Sequence, residues 1–189
     1  MPHINKAFFE LIKEYNNDFF NKYQLFIETG TYNGMTTFEM EPLFKEIHTI
    51  EIKEEIFSNT KSKYNGNKIK FYLGDSSIVL EEICKNINEP AIFFLDGHWS
   101  AGDTGKGNKD CPLYEELENI IKYFKNSAII IIDDFRLFGK GPSKNNEICN
   151  WEDISKENVI KITSSRLLDN YVLEDNGEHE RLILHIKNI

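Results

Sequence analysis

The chain has 189 residues, 40% of them hydrophobic, which is the size and composition of one globular domain that can bury its own core. The formal net charge of −9 argues against extended binding to nucleic acid or to an anionic membrane, because like charges repel. The three cysteines are widely spaced and form no CxxC pair, which argues against a zinc site or a disulfide framework.

The N-terminal stretch has the pattern of one or two amphipathic helices over residues 3–22. It lacks the apolar core of a signal peptide, and no apolar run in the chain approaches the ~20 residues that span a bilayer. We therefore expect a cytoplasmic protein without a membrane partner.

Five short apolar runs predict the strands of a parallel sheet. Their hydrophobic character is nearly continuous rather than alternating, as expected for strands that are buried on both faces. The runs occupy residues 25–29, 47–52, 69–75, 91–97 and 128–134. Helix-like stretches lie between them and occupy residues 34–44, 53–63, 76–86 and 112–125.

The pattern changes after the fifth run. Residues 135–150 are rich in Gly, Lys, Asn and Pro and predict a loop, whereas residues 151–161 favour a helix. Two apolar segments then predict a β-hairpin, with the strands at residues 171–175 and 180–186 and the turn at Asn176-Gly177.

This order of elements predicts an α/β fold. We expect a three-layer, doubly wound, mostly parallel Rossmann-like sheet of about seven strands that ends in an antiparallel hairpin. The whole chain, residues 1–189, would form a single domain, with a helical cap at 1–24 and the Rossmann-like core at 25–189. Ligands of such sheets bind beyond the carboxyl ends of the strands, so the polar residues there are the candidate site.

The first strand ends in an ExGxxxG pattern that runs from Glu28 to Gly34 through Thr29, Gly30 and Thr31. Glycines in this turn permit a close approach of the ligand, and the N–H groups of the next helix favour an electronegative ligand group. The pattern lacks the middle glycine of GxGxxG and the GK[ST] ending of a P-loop. An ordinary strand-to-helix turn is the alternative.

Acidic residues also follow the second and third strands. Glu51 can accept hydrogen bonds from both ribose hydroxyls of a nucleoside, although a solvated glutamate that begins a helix has the same pattern. Asp75 and Ser76 could accept a hydrogen bond from an adenine amino group, and they are equally typical of a helix N-cap.

The residues that follow the fourth and fifth strands include the main candidates for catalysis and metal binding. Asp96 and the adjacent pair Asp133 and Asp134 follow strands that should be neighbours, so three carboxylates converge and predict a site for Mg²⁺ or Mn²⁺. Water or a basic side chain such as Arg136 is the alternative partner for the pair. His98 lies beside Asp96 and could act as a proton acceptor near neutral pH.

Taken together, the segments ETGTYNG, Glu51, GDS, LDGHWS and IIDDF resemble the class I S-adenosylmethionine (SAM)-dependent methyltransferases over residues 20–187. More narrowly, the chain is similar to the metal-dependent macrocin O-methyltransferase and cephalosporin-hydroxylase-like group. The resemblance implies that SAM is the cofactor. It implies cofactor binding by the following residues: Glu28, Thr29, Gly30, Thr31, Gly34, Glu51, Asp75, Ser76 and Asp96.

The same resemblance implies a metal site at Asp96, Asp133 and Asp134, with His98 as the base or a further ligand and Asp96 also catalytic. The reaction would be O-methylation of a hydroxyl on a sugar or another small polar metabolite. The alternatives are a metal-independent methyltransferase, a non-catalytic cofactor-binding or interaction domain, and a nucleotide-dependent enzyme. We expect a small-molecule acceptor and no nucleic-acid partner, and a homo-oligomer is compatible with the sequence.

Overall fold

Seven strands form one mixed sheet in a computed structural model that describes residues 4–175 and 179–189. The strands are β1 Leu25–Thr29, β2 Glu46–Glu51, β3 Ile69–Leu73, β4 Ala91–Leu95, β5 Ala128–Ile132, β6 Leu167–Asp175 and β7 His179–Ile186. All five predicted parallel strands and both hairpin strands are confirmed. The predicted turn at Asn176-Gly177 lies outside the described residues.

The helices fill the crossovers between the strands. They are α1 Lys6–Phe9, α2 Phe19–Lys22, α3 Met35–Met40, α4 Glu54–Lys61, α5 Ser76–Asn86, α6 Leu113–Tyr123 and α7 Lys156–Thr163. A 3-10 helix, Phe135–Leu137, begins the stretch predicted as a loop. Within the described part of the chain, no helix has the length and apolar character needed to cross a bilayer.

The sheet order is β3-β2-β1-β4-β5-β7-β6. Strands β1 to β5 pair in parallel, and β7 inserts antiparallel between β5 and β6. Every residue of β1, β4 and β5 is buried, as the continuous apolar runs predicted. The predicted doubly wound α/β fold with a terminal antiparallel hairpin is therefore confirmed.

Each face of the sheet carries its own hydrophobic cluster. One cluster joins α5, α6 and α7 to the sheet, with Leu80, Leu117 and Val159 among its buried residues. The other packs the N-terminal segment onto the opposite face, where Phe9 and Phe19 lie fully buried among aromatic neighbours. The carboxyl ends of β1 to β5 remain at one edge of this sandwich, where the polar residues of the site gather.

The predicted helices of the N-terminal segment are confirmed, but they are short. Lys6–Phe9 and Phe19–Lys22 have four residues each, because the buried phenylalanines fix the segment through tertiary packing rather than through helix length.

Candidate functional site

A cleft lies at the carboxyl ends of β1 to β4. Six residues that the sequence singled out line it together: Gly30, Glu51, Asp75, Ser76, Asp96 and His98. The topology brings them together because β2, β1 and β4 are neighbours and β3 flanks β2.

The turn after β1 is held against the turn after β4. Gly30 has φ +85°, and its N–H donates to the Ile50 carbonyl at 2.9 Å. A Cβ at this position would lie 2.2 Å from the carbonyl oxygen of Asp96, so only glycine fits. The close contact brings the first loop and the acidic fourth loop to the same side of the cleft.

Glu28 and Thr31 lie beneath this turn rather than in the cleft lining. Glu28 accepts hydrogen bonds from the hydroxyls of Thr37 and Thr49, the latter at 2.7 Å. Thr31 Oγ1 lies 2.6 Å from Thr49 Oγ1 and extends the same network. Burial raises the pKa of Glu28 to about 7, although the two hydroxyls oppose the rise. Glu28 and Thr31 thus support the turn, and their contact with a cofactor stays a prediction.

Thr29 and Gly34 also lie outside the cleft lining. Thr29 Oγ1 accepts from the Asp96 backbone N–H at 3.2 Å, which ties β1 to the fourth loop. Gly34 has φ +83° and precedes α3, where a Cβ would collide with Phe38 and Thr60. Both residues therefore support the loops of the site without lining the cleft.

The second and third loops carry the acidic residues that suit a nucleoside. The two carboxylate oxygens of Glu51 accept the backbone N–H groups of Tyr32 and Lys53, each at 2.9 Å. These bonds fix the carboxylate at the cleft wall and leave it lone pairs for further donors. Asp75 caps α5 through Ser77, which confirms the N-cap interpretation. Asp75 also lines the cleft, where its contact with adenine stays a prediction.

A loop that follows the fourth strand covers this half of the cleft. Two glycines of this loop pack against the residues that follow β2 and β3. A Cβ on Gly105 would lie 2.3 Å from the Ile52 side chain, and a Cβ on Gly107 would lie 2.7 Å from the Asp75 carboxylate. The ammonium group of Lys53 donates to the Asp103 carbonyl and anchors the loop. The glycine content of residues 101–110 was the available indication of this close approach.

His98 lies between two carboxylates on the other side of the cleft. Its Nε2 is 3.2 Å from Asp134 Oδ2, and its Nδ1 is 3.4 Å from Asp96 Oδ1. The indole of Trp151 packs against the imidazole, with the ring centroids 4.8 Å apart. The ring is therefore fixed in orientation, with a carboxyl oxygen near each nitrogen.

The paired aspartates after β5 already have basic partners. Asp133 Oδ1 accepts from Nε of the fully buried Arg181 at 2.8 Å. Asp134 Oδ1 accepts from Arg136 at 3.1 Å, and His98 occupies its other oxygen. Burial acts to raise the pKa of Asp134, but His98 and Arg136 outweigh it and lower that pKa.

This arrangement does not fit the predicted cation site. A hard divalent ion needs several free carboxylate oxygens directed at one point. Here both oxygens of Asp134 and one oxygen of Asp133 already face basic side chains. Among residues 4–175 and 179–189, no three His, Cys, Asp or Glu side chains are arranged as a metal site. The basic partner that the sequence offered as an alternative, Arg136, is present, and Arg181 adds a second.

Several carboxyl groups around the cleft are nevertheless costly to ionise. Burial, followed by the charges of Asp133 and Asp134, raises the pKa of Asp96 well above its ordinary value. Burial also raises the pKa of Glu116, a residue of α6, to about 7, as it does for Glu28. A positively charged ligand group would stabilise the ionised forms of these carboxyls, so the site favours a cationic ligand.

No model of a protein family matches the sequence, and the search of curated proteins found no match. Solved structures do match. The O-methyltransferase TomG from Streptomyces achromogenes, in complex with SAM, is 12% identical, with 91% of this chain and 76% of that chain covered and a TM-score of 0.64.

Two further neighbours have the same fold. The N-methyltransferase NodS from Bradyrhizobium japonicum, in complex with S-adenosylhomocysteine (SAH), is 11% identical, with 87% and 78% covered and a TM-score of 0.53. An rRNA methylase from Streptococcus thermophilus is 16% identical, with 89% of each chain covered and a TM-score of 0.51. These likenesses show that the chain has the class I SAM-dependent methyltransferase fold.

Proposed function

We propose that the protein is a SAM-dependent methyltransferase. The observation that carries the proposal is the cleft itself: it brings Glu51, Asp75 and Asp96 together at the carboxyl ends of β2, β3 and β4. The fold supports the proposal, since the neighbours with this topology include proteins in complex with SAM and with SAH. The raised carboxyl pKa values add a reason for a cationic cofactor.

One group of cleft residues would bind the adenosine part of SAM, and another would border its methionine part. Glu51 would accept the ribose hydroxyls, and Asp75 with Ser76 would bind adenine beneath the Gly105–Gly107 segment of the loop. Gly30 and Asp96 would border the methionine end. When bound, SAM supplies an electrophilic methyl group on a positively charged sulfur.

His98 is the proposed base. Asp134 holds Nε2, and Nδ1 lies beside Asp96 at the cleft, so Nδ1 is the atom positioned to take the proton from an acceptor hydroxyl. The ionised Asp134 carboxylate would stabilise the imidazolium that results.

The proposed acceptor is a hydroxyl of a sugar or another small polar metabolite, as the resemblance to the macrocin O-methyltransferase-like group implies. The charge of −9 supports a small acceptor over a nucleic acid. The structural neighbours include both O- and N-methyltransferases, so an amine is the second acceptor class to be assayed.

The test is transfer of a radiolabelled methyl group from SAM to a panel of sugars, hydroxylated metabolites and amines. Glu51→Gln should raise the KM for SAM at least tenfold, because the amide offers one acceptor oxygen where the carboxylate offers two. Glu54→Gln is the matched control, since Glu54 is exposed on α4 three residues further on. Tight SAM binding without transfer to any acceptor would support the non-catalytic alternative instead.

A further inference from the structure

Glu116 is a buried acid that the proposed function leaves without a role. It lies in the first turn of α6 and is 1% exposed. Its Oε1 makes no hydrogen bond of good geometry among the described residues, although the hydroxyls of Ser76 and Thr29 lie close enough to lower its pKa. Native proteins seldom leave such an atom unpaired, because an unmet carboxylate oxygen costs free energy.

The unpaired oxygen faces the back of the proposed adenine subsite. A Cβ placed on Gly97 would lie 2.8 Å from Glu116 Oε1, 3.0 Å from Thr29 Oγ1 and 3.1 Å from Ser76 Oγ. The three oxygens therefore surround one point beneath the turn that follows β4. Gly97 and Ser76 also line the cleft, so Glu116 lies one layer behind the cofactor-facing surface.

We propose that Glu116 is a specificity-determining positioning residue: it orients the Ser76 hydroxyl so that the cleft selects a 6-aminopurine over a 6-oxopurine. The inference rests on the proposed function, because it assumes that an adenosine group occupies the cleft. Glu116 acts through Ser76 and does not itself touch the cofactor.

The mechanism follows from the hydrogen-bonding capacity of the two groups. An ionised carboxylate only accepts, so the Ser76 hydroxyl turns its hydrogen toward Glu116 and its lone pairs toward the cleft. Those lone pairs accept from the 6-amino group of adenine. The 6-oxo group of hypoxanthine offers a lone pair instead, and the facing acceptors would be left unpaired.

The preference should depend on pH, because a protonated Glu116 can donate to Ser76 and release the serine hydrogen toward the cleft. Burial raises the pKa of Glu116 to about 7. The hydroxyls of Ser76 and Thr29 and the charge of His98 oppose the rise, and Asp75 adds to it. The 6-amino preference should therefore increase as the pH rises from 6 to 8.

The experiment compares the dissociation constants of SAH and of its deaminated analogue, S-inosylhomocysteine, by titration calorimetry at pH 8. Wild-type protein should prefer SAH by about ten- to a hundredfold. Glu116→Gln should reduce that preference about fivefold or more, because an amide donates to Ser76; the remainder would come from Asp75. Glu118→Gln, an exposed residue on the same helix, should retain the full preference.

The outcomes separate this inference from the proposed function. If wild-type protein binds neither compound, the proposed function fails. If it binds both equally, or if Glu116→Gln discriminates as well as wild type, the inference about Glu116 fails and the proposed function stands. Should the variant not fold, the wild-type series at pH 6, 7 and 8 decides, and a preference that does not change with pH overturns the inference.

Discussion

Glu28 makes a quantitative prediction about stability and pH. It is fully buried beneath the first turn, and burial raises its pKa from an ordinary value of 4.5 to about 7. At about 1.4 kcal/mol for each pKa unit, that difference corresponds to about 3 kcal/mol, to order of magnitude. The folded state therefore holds a proton that the unfolded state releases between these two pH values.

The sign of the effect follows from this difference. Because the folded pKa is raised, the free energy of unfolding should fall as the pH rises from about 4.5 to 7 and should not change further above that. Glu28→Gln has nearly the same shape and cannot ionise, and its amide oxygen can still accept from Thr37 and Thr49. The variant should lack this component, so its stability relative to wild type should be about 3 kcal/mol higher at pH 8 than at pH 4.5.

The assay is urea unfolding of wild type and Glu28→Gln at pH 4.5 and at pH 8, with the change between the two pH values compared within each protein. This comparison cancels any constant cost of the amide and the contributions of other titrating groups. Glu118→Gln, at an exposed position, serves as the control and should follow wild type at both pH values. Equal pH dependence in wild type and Glu28→Gln would refute the reasoning.

Three further changes test the turn, the ion pair and the base. Gly30→Ala should lower the free energy of unfolding by about 1–3 kcal/mol and weaken SAH binding at least tenfold, because its Cβ would meet the Asp96 carbonyl; unchanged binding by calorimetry would contradict this. Arg181→Met should cost about 3–5 kcal/mol in urea unfolding, since Asp133 would stay buried without its cation, and a loss below 1 kcal/mol would argue against the pair. His98→Gln should reduce methyl transfer by about 10²–10⁴-fold with SAH affinity retained, and full turnover would remove His98 as the base.

The strands and their order were predictable because burial on both faces leaves a local pattern. Runs such as residues 128–132 are apolar throughout, and short polar turns end them. The polar residues at their carboxyl ends followed from topology alone, which is why Glu51, Asp75 and Asp96 were found and do line one cleft. Predicting that these three residues share one cleft requires no knowledge of side-chain packing.

The partners of the paired aspartates were not predictable in this way. The antiparallel register places Ile132 opposite Leu182, so the next pair along the strands brings Arg181 to Asp133 across 48 positions of sequence. The available indication was an arginine directly before the apolar run Leu182–Leu184. Without the register, the same two carboxylates predicted a metal site equally well.

Glu116 was missed for a related reason. On a helix, an acidic residue in the first turn is the ordinary pattern of a solvated N-terminus, and the neighbouring Glu115 has that character through its contact with Lys109. Only the packing of α6 under the turn after β4 distinguishes Glu116 from Glu115. Helical periodicity points to an inward face, but it does not identify what the buried carboxyl meets there.

Calorimetric titration of the wild-type protein with SAM and with SAH at pH 8 tests the central claim most directly. We predict one binding site per chain for each compound, loss of both by Asp75→Ala, and tighter binding of SAM at pH 8 than at pH 6, because the sulfonium favours ionised carboxyls at Asp96 and Glu28. If neither SAM nor SAH produces a heat of binding at millimolar concentrations, the assignment of this cleft as a SAM site is contradicted.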